Sequence, residues 1–334
     1  MKILQVAYPF EPVSTASAGG TEQILALLDR ELTALGHKSV VLARAGSRVA
    51  GRLVPSAPAN ADFETSCRAH ETALQRLLAR EHFDLIHDQG SGIRHWPGGP
   101  PVLSTLHLTR SLLGEAPALG PGRHYNLVSR SQRAQYADHV AAWAWPVVPN
   151  GIDLHRFRPG GRRADFALCI GRVCPEKGFH HAVAATRAAG LPLVIAGKVY
   201  RFDSHVRYFD AAIRPHLGRG VTFIDSPTAA LKRELLRRAR CVLIPSEVEE
   251  TSSLVAMEAA ACGTPVICFR RGALPEVVVD GKTGFVAEDG IAMANALARL
   301  GEIDGNACRR HAQQHFSSQR MAMDYLSLYR ALAN

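Results

Sequence analysis

Short apolar runs of two to five residues recur along the chain, separated by longer stretches whose apolar positions fall three and four apart. Runs that do not alternate with polar residues are those of strands buried on both faces, and the stretches between them are those of covering helices. In the first half the runs are Ile3–Ala7, Val40–Ala43, Leu85-Ile86, Val102–Leu106 and Leu127-Val128. Thr21–Leu35 places Ile24, Leu28, Leu32 and Leu35 on one helical face and stops at Gly36. A Pro- and Ala-rich loop is predicted over 50–60 and a helix from about Ser66 to Arg80. Between Trp145 and Pro159 the periodicity ends, broken by Pro146, Pro149, Asn150-Gly151 and Pro159.

The alternation then restarts. Strands are predicted at Ala167–Ile170, Leu193–Ala196, Val221–Ile224, Cys241–Ile244 and Val266–Cys268, with helices over about 178–189, 205–216, 228–239 and 253–262. After Phe285-Val286 the pattern is helical, over about 290–300, 305–316 and 318–332. The prediction is an α/β protein of two Rossmann-like, doubly wound parallel-sheet domains, residues 1–148 and 149–316, followed by a C-terminal helix in 317–334. Two such domains in tandem predict a ligand cleft between the C-terminal ends of their sheets.

A length of 334 residues suits two domains, and 47% hydrophobic with 21% charged residues is the balance of a globular protein. No apolar run approaches the roughly 20 residues of a spanning helix, and Met1–Tyr8 reads as a strand rather than a signal peptide. Seven scattered cysteines, with no Cys-x-x-Cys pair, argue against a disulfide framework and against zinc, so a cytoplasmic location is expected. The net charge of +9 leaves nucleic acid, an anionic membrane or a phosphate-bearing ligand as partners. No basic segment interleaved with aromatics and no nucleic-acid-binding motif is present, which excludes the first. Peripheral contact with anionic lipid stays open.

Four stretches carry candidate chemistry. Gly19-Gly20-Thr21-Glu22 follows the first strand and opens the first helix, leaving backbone N–H groups for a ligand; it is not Gly-x-Gly-x-x-Gly. Gly171–Gly178 sets Arg172 and Lys177 around one strand-to-helix loop, where cations oppose the helix dipole and call for an anion. Pro245–Gly263 leads from a strand through an acidic turn into an Ala-rich helix, with Glu250 in the turn and Glu258 in the helix. Glu249 reads as a solvated carboxylate, whereas Glu258, flanked by Met257 and Ala259, needs polar partners. His107 ends a strand, where an imidazole can hydrogen-bond a reacting hydroxyl. His87-Asp88 makes a weaker case of the same kind, and His311 with His315 lacks a third metal ligand.

In this order and spacing the motifs resemble the retaining glycosyltransferases of family 4, which have the GT-B fold. Pro149-Asn150-Gly151-Ile152-Asp153 looks like the interdomain motif, Glu250 to Glu258 like the Glu-x7-Glu signature, and Gly272, Pro275-Glu276, Gly281 and Gly284-Phe285 like the remaining C-terminal pattern. The resemblance implies that Arg172 and Lys177 bind the diphosphate of a nucleotide-sugar donor. It implies that Glu258 holds the ribose hydroxyls and that Glu250 contacts the transferred sugar. Backbone N–H groups of Ser253 and Leu254, with Gly19 and Gly20, would contact the donor, and His107 would stand near the reacting carbon. No metal and no cofactor would be needed, and the acceptor, whether carbohydrate, lipid-linked or small molecule, stays unassigned. The last helix would pack back on the N-terminal domain, for which Met321, Tyr325, Leu326 and Tyr329 supply an apolar face. The chain departs from the family where Thr-Phe-Gly-Leu is replaced by Thr251-Ser252-Ser253-Leu254. The same architecture serves sugar-nucleotide epimerases, and the change at 252–253 is compatible with a non-catalytic sugar-nucleotide-binding subunit.

Overall fold

A computed structural model describes the chain except residues 59–60, 91–92, 94–97, 114–119, 140 and 334. It divides into two compact units, residues 1–152 with 318–334, and 153–317.

The first unit is built on a six-stranded parallel sheet of β1 (Lys2–Val6), β2 (Lys38–Ala43), β3 (Arg52–Pro55), β4 (Leu85–Asp88), β5 (Val102–Leu106) and β6 (Arg123–Leu127), in the order β3-β2-β1-β4-β5-β6. The order reverses between β1 and β4, the arrangement of a doubly wound sheet. Helices α1 (Gly20–Ala34) and α2 (Phe63–Leu78) supply apolar faces: Leu25 and Ala26 pack with Val41 and Ala43, while Leu74 and Leu77 pack with Leu4, Leu42 and Ile86. Two short helices, α3 (Arg110–Leu113) and α4 (Arg130–Ala134), follow β5 and β6.

The C-terminal helix, Ser318–Ala333, belongs to this unit and lies against α1. Met321, Tyr325, Leu326 and Tyr329 are all buried. Its two tyrosines enter a polar chain beneath the sheet's end. The Tyr329 hydroxyl donates to His87 Nδ1 at 2.6 Å, His87 Nε2 donates to Thr105 Oγ1 at 2.7 Å, and Thr105 donates to Asn126 Oδ1 at 2.7 Å. Tyr325 lies 3.1 Å from Thr105 Oγ1. Buried polar groups paired in series fix one register of a helix, because any slip leaves them unsatisfied. Desolvation, with His107 nearby, pushes the His87 imidazole down to about 3, so it is neutral in this chain.

The second unit repeats the plan with β7 (Ala167–Ile170), β8 (Leu193–Gly197), β9 (Val221–Asp225), β10 (Cys241–Ile244), β11 (Val266–Phe269) and β12 (Gly284–Ala287), in the order β12-β11-β10-β7-β8-β9. Its helices are α5 (Phe179–Ala188), α6 (Asp203–Tyr208), α7 (Ala229–Arg238), α8 (Leu254–Ala261), α9 (Leu274–Val277), α10 (Gly290–Ala298) and α11 (Gly305–His315). Phe179, Val183, Phe269, Phe285, Met293 and Leu297 fill the core between the sheet and α5 and α10.

Three sequence expectations change. Residues 52–55 form a strand inside the predicted 50–60 loop. The sixth strand runs Arg123–Leu127, so Val128 lies beyond it. The helix predicted over 205–216 is regular only to Tyr208, then widens into a π turn over Phe209–Ile213 and a 3₁₀ turn over Arg214–His216. Pro215 explains the break, since its ring excludes the carbonyl four residues earlier and it has no N–H to donate.

Candidate active site

In the second unit two loops meet where β7 and β10 end. The first runs Gly171–Gly178, with a 3₁₀ turn over Pro175–Lys177; the second is the acidic turn Pro245–Ser253 before α8. Glu247 N–H donates to the Glu176 carbonyl at 2.9 Å, which ties the loops by their backbones. Gly178 makes the approach possible. Its φ is +61°, and a Cβ there would lie 2.1 Å from the Pro245 carbonyl oxygen.

Across this seam Lys177 Nζ donates to Glu250 Oε1 at 2.5 Å, and Ser246 Oγ donates to the same oxygen at 2.6 Å. Lys177 and Glu250 are both partly open to solvent, their side chains 25% and 14% exposed. The anion that the cationic loop calls for is thus present within the chain. Arg172 is exposed and has no hydrogen-bonded side-chain partner among the described residues.

Glu249 and Glu250 are gripped from a third side. Gly272 N–H donates to Glu249 Oε2 at 2.6 Å, and Ala273 N–H donates to the Glu250 carbonyl at 2.7 Å. Glu249 is therefore a loop anchor, not merely a solvated carboxylate. At Gly272, with φ +54°, a Cβ would come 2.2 Å from the Glu250 carbonyl oxygen.

Glu258 is 1% exposed, in a helix otherwise lined by alanine. Its partner is Lys232 on α7, whose ammonium lies 2.8 Å from Oε1 and 2.7 Å from Oε2. Burial raises the carboxyl's pKa, and Lys232 offsets part of that rise. Oε1 takes the aligned hydrogen bond, while Oε2 has none among the described residues. Ser253 is the N-cap of α8, its hydroxyl accepting from Ala256 N–H at 3.3 Å, and Leu254 is the first helical residue. The Ser252 hydroxyl is buried without a hydrogen-bond partner among the described residues.

The first unit carries the other predicted residues. Gly19 precedes α1 in extended conformation with no side-chain cap, and Gly20 is the first helical residue. Glu22 folds over that helix start, so that a Cβ on Gly19 would touch its carboxylate. Burial raises the Glu22 pKa, while its own backbone N–H opposes that. His107 follows β5, with Nε2 donating to Gln89 Oε1 at 2.8 Å, which leaves the lone pair of a neutral ring on Nδ1. Desolvation pushes this imidazole down to about 4 although its edge still meets solvent.

The structure thus brings Lys177, Glu250 and the start of α8 together and places Glu258 on the same helix. Lys232, Ser246 and Gln89 are additions that the motifs did not disclose, and Gly272, matched only as part of the C-terminal pattern, gains a contact with the acidic turn. The residues lie at the C-terminal ends of strands, where doubly wound sheets bind ligands. A separate cavity of about 470 Å³ in the second unit is lined by Arg156, Arg158, Arg233 and Arg237 and by none of the predicted site residues.

Two Rossmann-like units on six-stranded parallel sheets, the second with carboxylates and cations at its strand ends, have the GT-B glycosyltransferase fold. The chain matches the family described as glycosyltransferase family 4 over residues 18–156, and glycosyl transferases group 1 over residues 155–315. It is 30% identical over 363 residues to the D-inositol 3-phosphate glycosyltransferase of Frankia alni, covering 87% of this chain and 88% of that one. The namesake from Mycobacteroides abscessus is 34% identical over 211 residues, 56% of this chain and 47% of the relative, so that match spans about half the relative's length. Among solved structures, AviGT4, a glycosyltransferase involved in avilamycin A biosynthesis, superposes with a TM-score of 0.77 at 28% identity, covering 99% of this chain and 98% of that one. The chain belongs to the family 4 glycosyltransferases, and it is an enzyme of that class. No helix among the described residues is long and apolar enough to cross a membrane.

Proposed function

We infer that this glycosyltransferase is retaining and moves a sugar from a nucleotide-diphosphate donor to an acceptor hydroxyl, with no Mg²⁺ or Mn²⁺ at the diphosphate and no cofactor. The observation that carries the reading is the Lys177–Glu250 pair, at the seam of two loops beside an open Arg172. A Lys point charge and an Arg fork neutralise a diphosphate without a metal. When the diphosphate engages Lys177, Glu250 keeps Ser246 as a donor and is released toward the sugar. Oε2 of Glu258, with an ammonium beside it but no aligned donor, accepts a ribose hydroxyl. Backbone N–H groups at Ser253 and Leu254, and at Gly19 and Gly20, contact the donor, and His107 takes part in transfer as a neutral hydrogen-bonding imidazole.

The acceptor hydroxyl attacks the anomeric carbon from the face that the diphosphate leaves. Its proton passes to the departing phosphate oxygen, so no protein nucleophile is required. A phosphorylated polyol, in keeping with the relatives' name, is the first acceptor to try. The enzyme works in the cytoplasm.

Incubation with a panel of nucleotide sugars and acceptors, with the product's anomeric configuration read by NMR, tests the reading. A new glycosidic bond with the donor's configuration, formed equally with and without added Mg²⁺ or Mn²⁺, supports it. An isomerised donor with no glycoside, an inverted product, or binding without turnover would each refute it.

A further inference from the structure

Inside the loop that carries Arg172 and Lys177 lies a second cluster that the transfer chemistry does not use. Cys174, Glu176 and His205 each bring one ligand atom within 4.8 Å of the others. Cys174 and Glu176 flank Pro175 at the start of the 3₁₀ turn, and His205 comes from α6, 29 positions further along the chain from Glu176. Cys174 is 1% exposed and His205 7% exposed, whereas Glu176 is open to solvent. His205 Nδ1 is buried with no hydrogen-bond partner among the described residues. A buried imidazole nitrogen without a hydrogen-bond partner is an unsatisfied polar atom that a ligand would relieve, and the Cys174 thiol has only a long hydrogen bond, 3.7 Å, to the Arg172 carbonyl.

We propose that Cys174, Glu176 and His205 form a binding site for a thiophilic divalent transition ion of the zinc class. One thiolate, one imidazole and one carboxylate are three zinc ligands, leaving a fourth position for water. Tetrahedral ligation at about 2.0–2.3 Å sets ligand atoms roughly 3.3–3.8 Å apart, so closure by about an ångström completes the site. Hard cations such as Mg²⁺ prefer oxygen sets and are excluded by the thiol. The exposed carboxylate of Glu176 gives the ion its entry from solvent. Binding breaks the Cys174 S–H bond, forms a sulfur–metal bond and releases the proton to water. The bound ion pins the donor loop to α6, a structural clamp separate from the reacting bond.

A competing cluster, His180, His181 and Glu247, also brings three ligand atoms within 4.8 Å. Its members are all partly solvent-exposed and already paired, His181 Nε2 with Glu247 at 2.9 Å and His180 Nδ1 with the Tyr208 hydroxyl at 3.0 Å.

The test is titration of the metal-stripped full chain with Co²⁺, read by thiolate-to-cobalt absorption, with a parallel Zn²⁺ thermal-shift assay. One equivalent of Co²⁺ is expected to produce the band. Cys174→Ser should abolish it, and His205→Ala should raise Kd on the order of 100-fold. His205→Ala keeps the thiol, so it tests the site even if the Cys174 variant does not fold. No stoichiometric band, a band unchanged in His205→Ala, or a Zn²⁺ stabilisation lost only in His181→Ala would overturn the assignment. None of these readouts depends on turnover, so failure here leaves the transfer reading standing.

Discussion

Lys177 donates a 2.5 Å hydrogen bond to Glu250, joining residues 73 positions apart that belong to two different strand-ending loops. Each of these side chains balances the other's charge. Lys177→Ala and Glu250→Ala should each lower kcat/KM by on the order of 10²–10³, as does removal of one preorganised charged or donor group at a reacting centre. The charge-swapped double variant, Lys177→Glu with Glu250→Lys, restores the pair but not the chemistry. It should fold, by circular dichroism and thermal midpoint, and remain inactive. Recovery of turnover by the swap would reduce the pair to a structural strut.

Lys232→Ala leaves the Glu258 carboxylate buried and unpaired. Breaking one side of such a pair typically costs about 3–5 kcal/mol, measurable as a lower urea midpoint. Glu258→Gln removes the charge instead and should be milder for stability while weakening nucleotide binding, read by calorimetry.

Gly272→Ala puts a Cβ 2.2 Å from the Glu250 carbonyl oxygen, at a φ of +54°. The backbone must shift, at a cost of about 1–3 kcal/mol for the strained conformation. Because Gly272 and Ala273 hold Glu249 and Glu250 by backbone N–H groups, donor affinity should fall as well. Gly281→Ala, with φ +71° but open space around it, separates the two effects: stability should drop while donor affinity stays.

Ser253→Ala removes the N-cap hydrogen bond of α8 and should cost about 1 kcal/mol, whereas Ser253→Gly, which restores the residue common in the family, should cost only a few tenths. Ser252→Phe fills the position of the buried, unpaired hydroxyl with an apolar ring. The ratio of kcat/KM values for different donor sugars should change in Ser252→Phe more than in Ser253→Gly, by competition assays.

Acid should destabilise the first unit. His87 titrates at about 3 and His70 and His107 at about 4, all through desolvation first, against about 6.5 when unfolded. Between these values the unfolded chain binds more protons than the folded one, so stability is full above about pH 6.5 and falls as pH drops toward 4. Each such histidine contributes a slope of about 1.4 kcal/mol per pH unit. His70→Gln should flatten the urea-midpoint profile over this window, and an unchanged slope would remove His70 from the account.

The fold was legible because a parallel sheet buried on both faces writes itself as short apolar runs, and β5 and β10 begin and end where those runs do. β3 was not, for a physical reason. It pairs only with β2 at the sheet edge, so Arg52-Leu53-Val54-Pro55 needs few apolar residues and tolerates a terminal proline. Around the candidate site, the oddity of Glu258 in an alanine helix was readable as a buried carboxylate. Its partner was not, because Lys232 sits among Arg233, Arg237 and Arg238 on a helix that reads as a solvated cationic face. The contacts of Gly178 and Gly272 depend on loops meeting in space, which spacing along the chain does not encode. Neither does the meeting of Cys174 with His205, which the absence of a Cys-x-x-Cys pair had counted against.

Tyr329 and His87 lie 242 positions apart, yet their hydrogen bond lies inside one unit. During synthesis the strands of that sheet leave the ribosome before the second unit, and the helix that satisfies their buried histidine leaves after it. Until the second unit has been translated, His87 therefore lacks the Tyr329 hydroxyl and Thr105 lacks that of Tyr325. The two parts of the first unit thus join only after the segment between them has been made, and the Ser318–Ala333 helix acts as the latch.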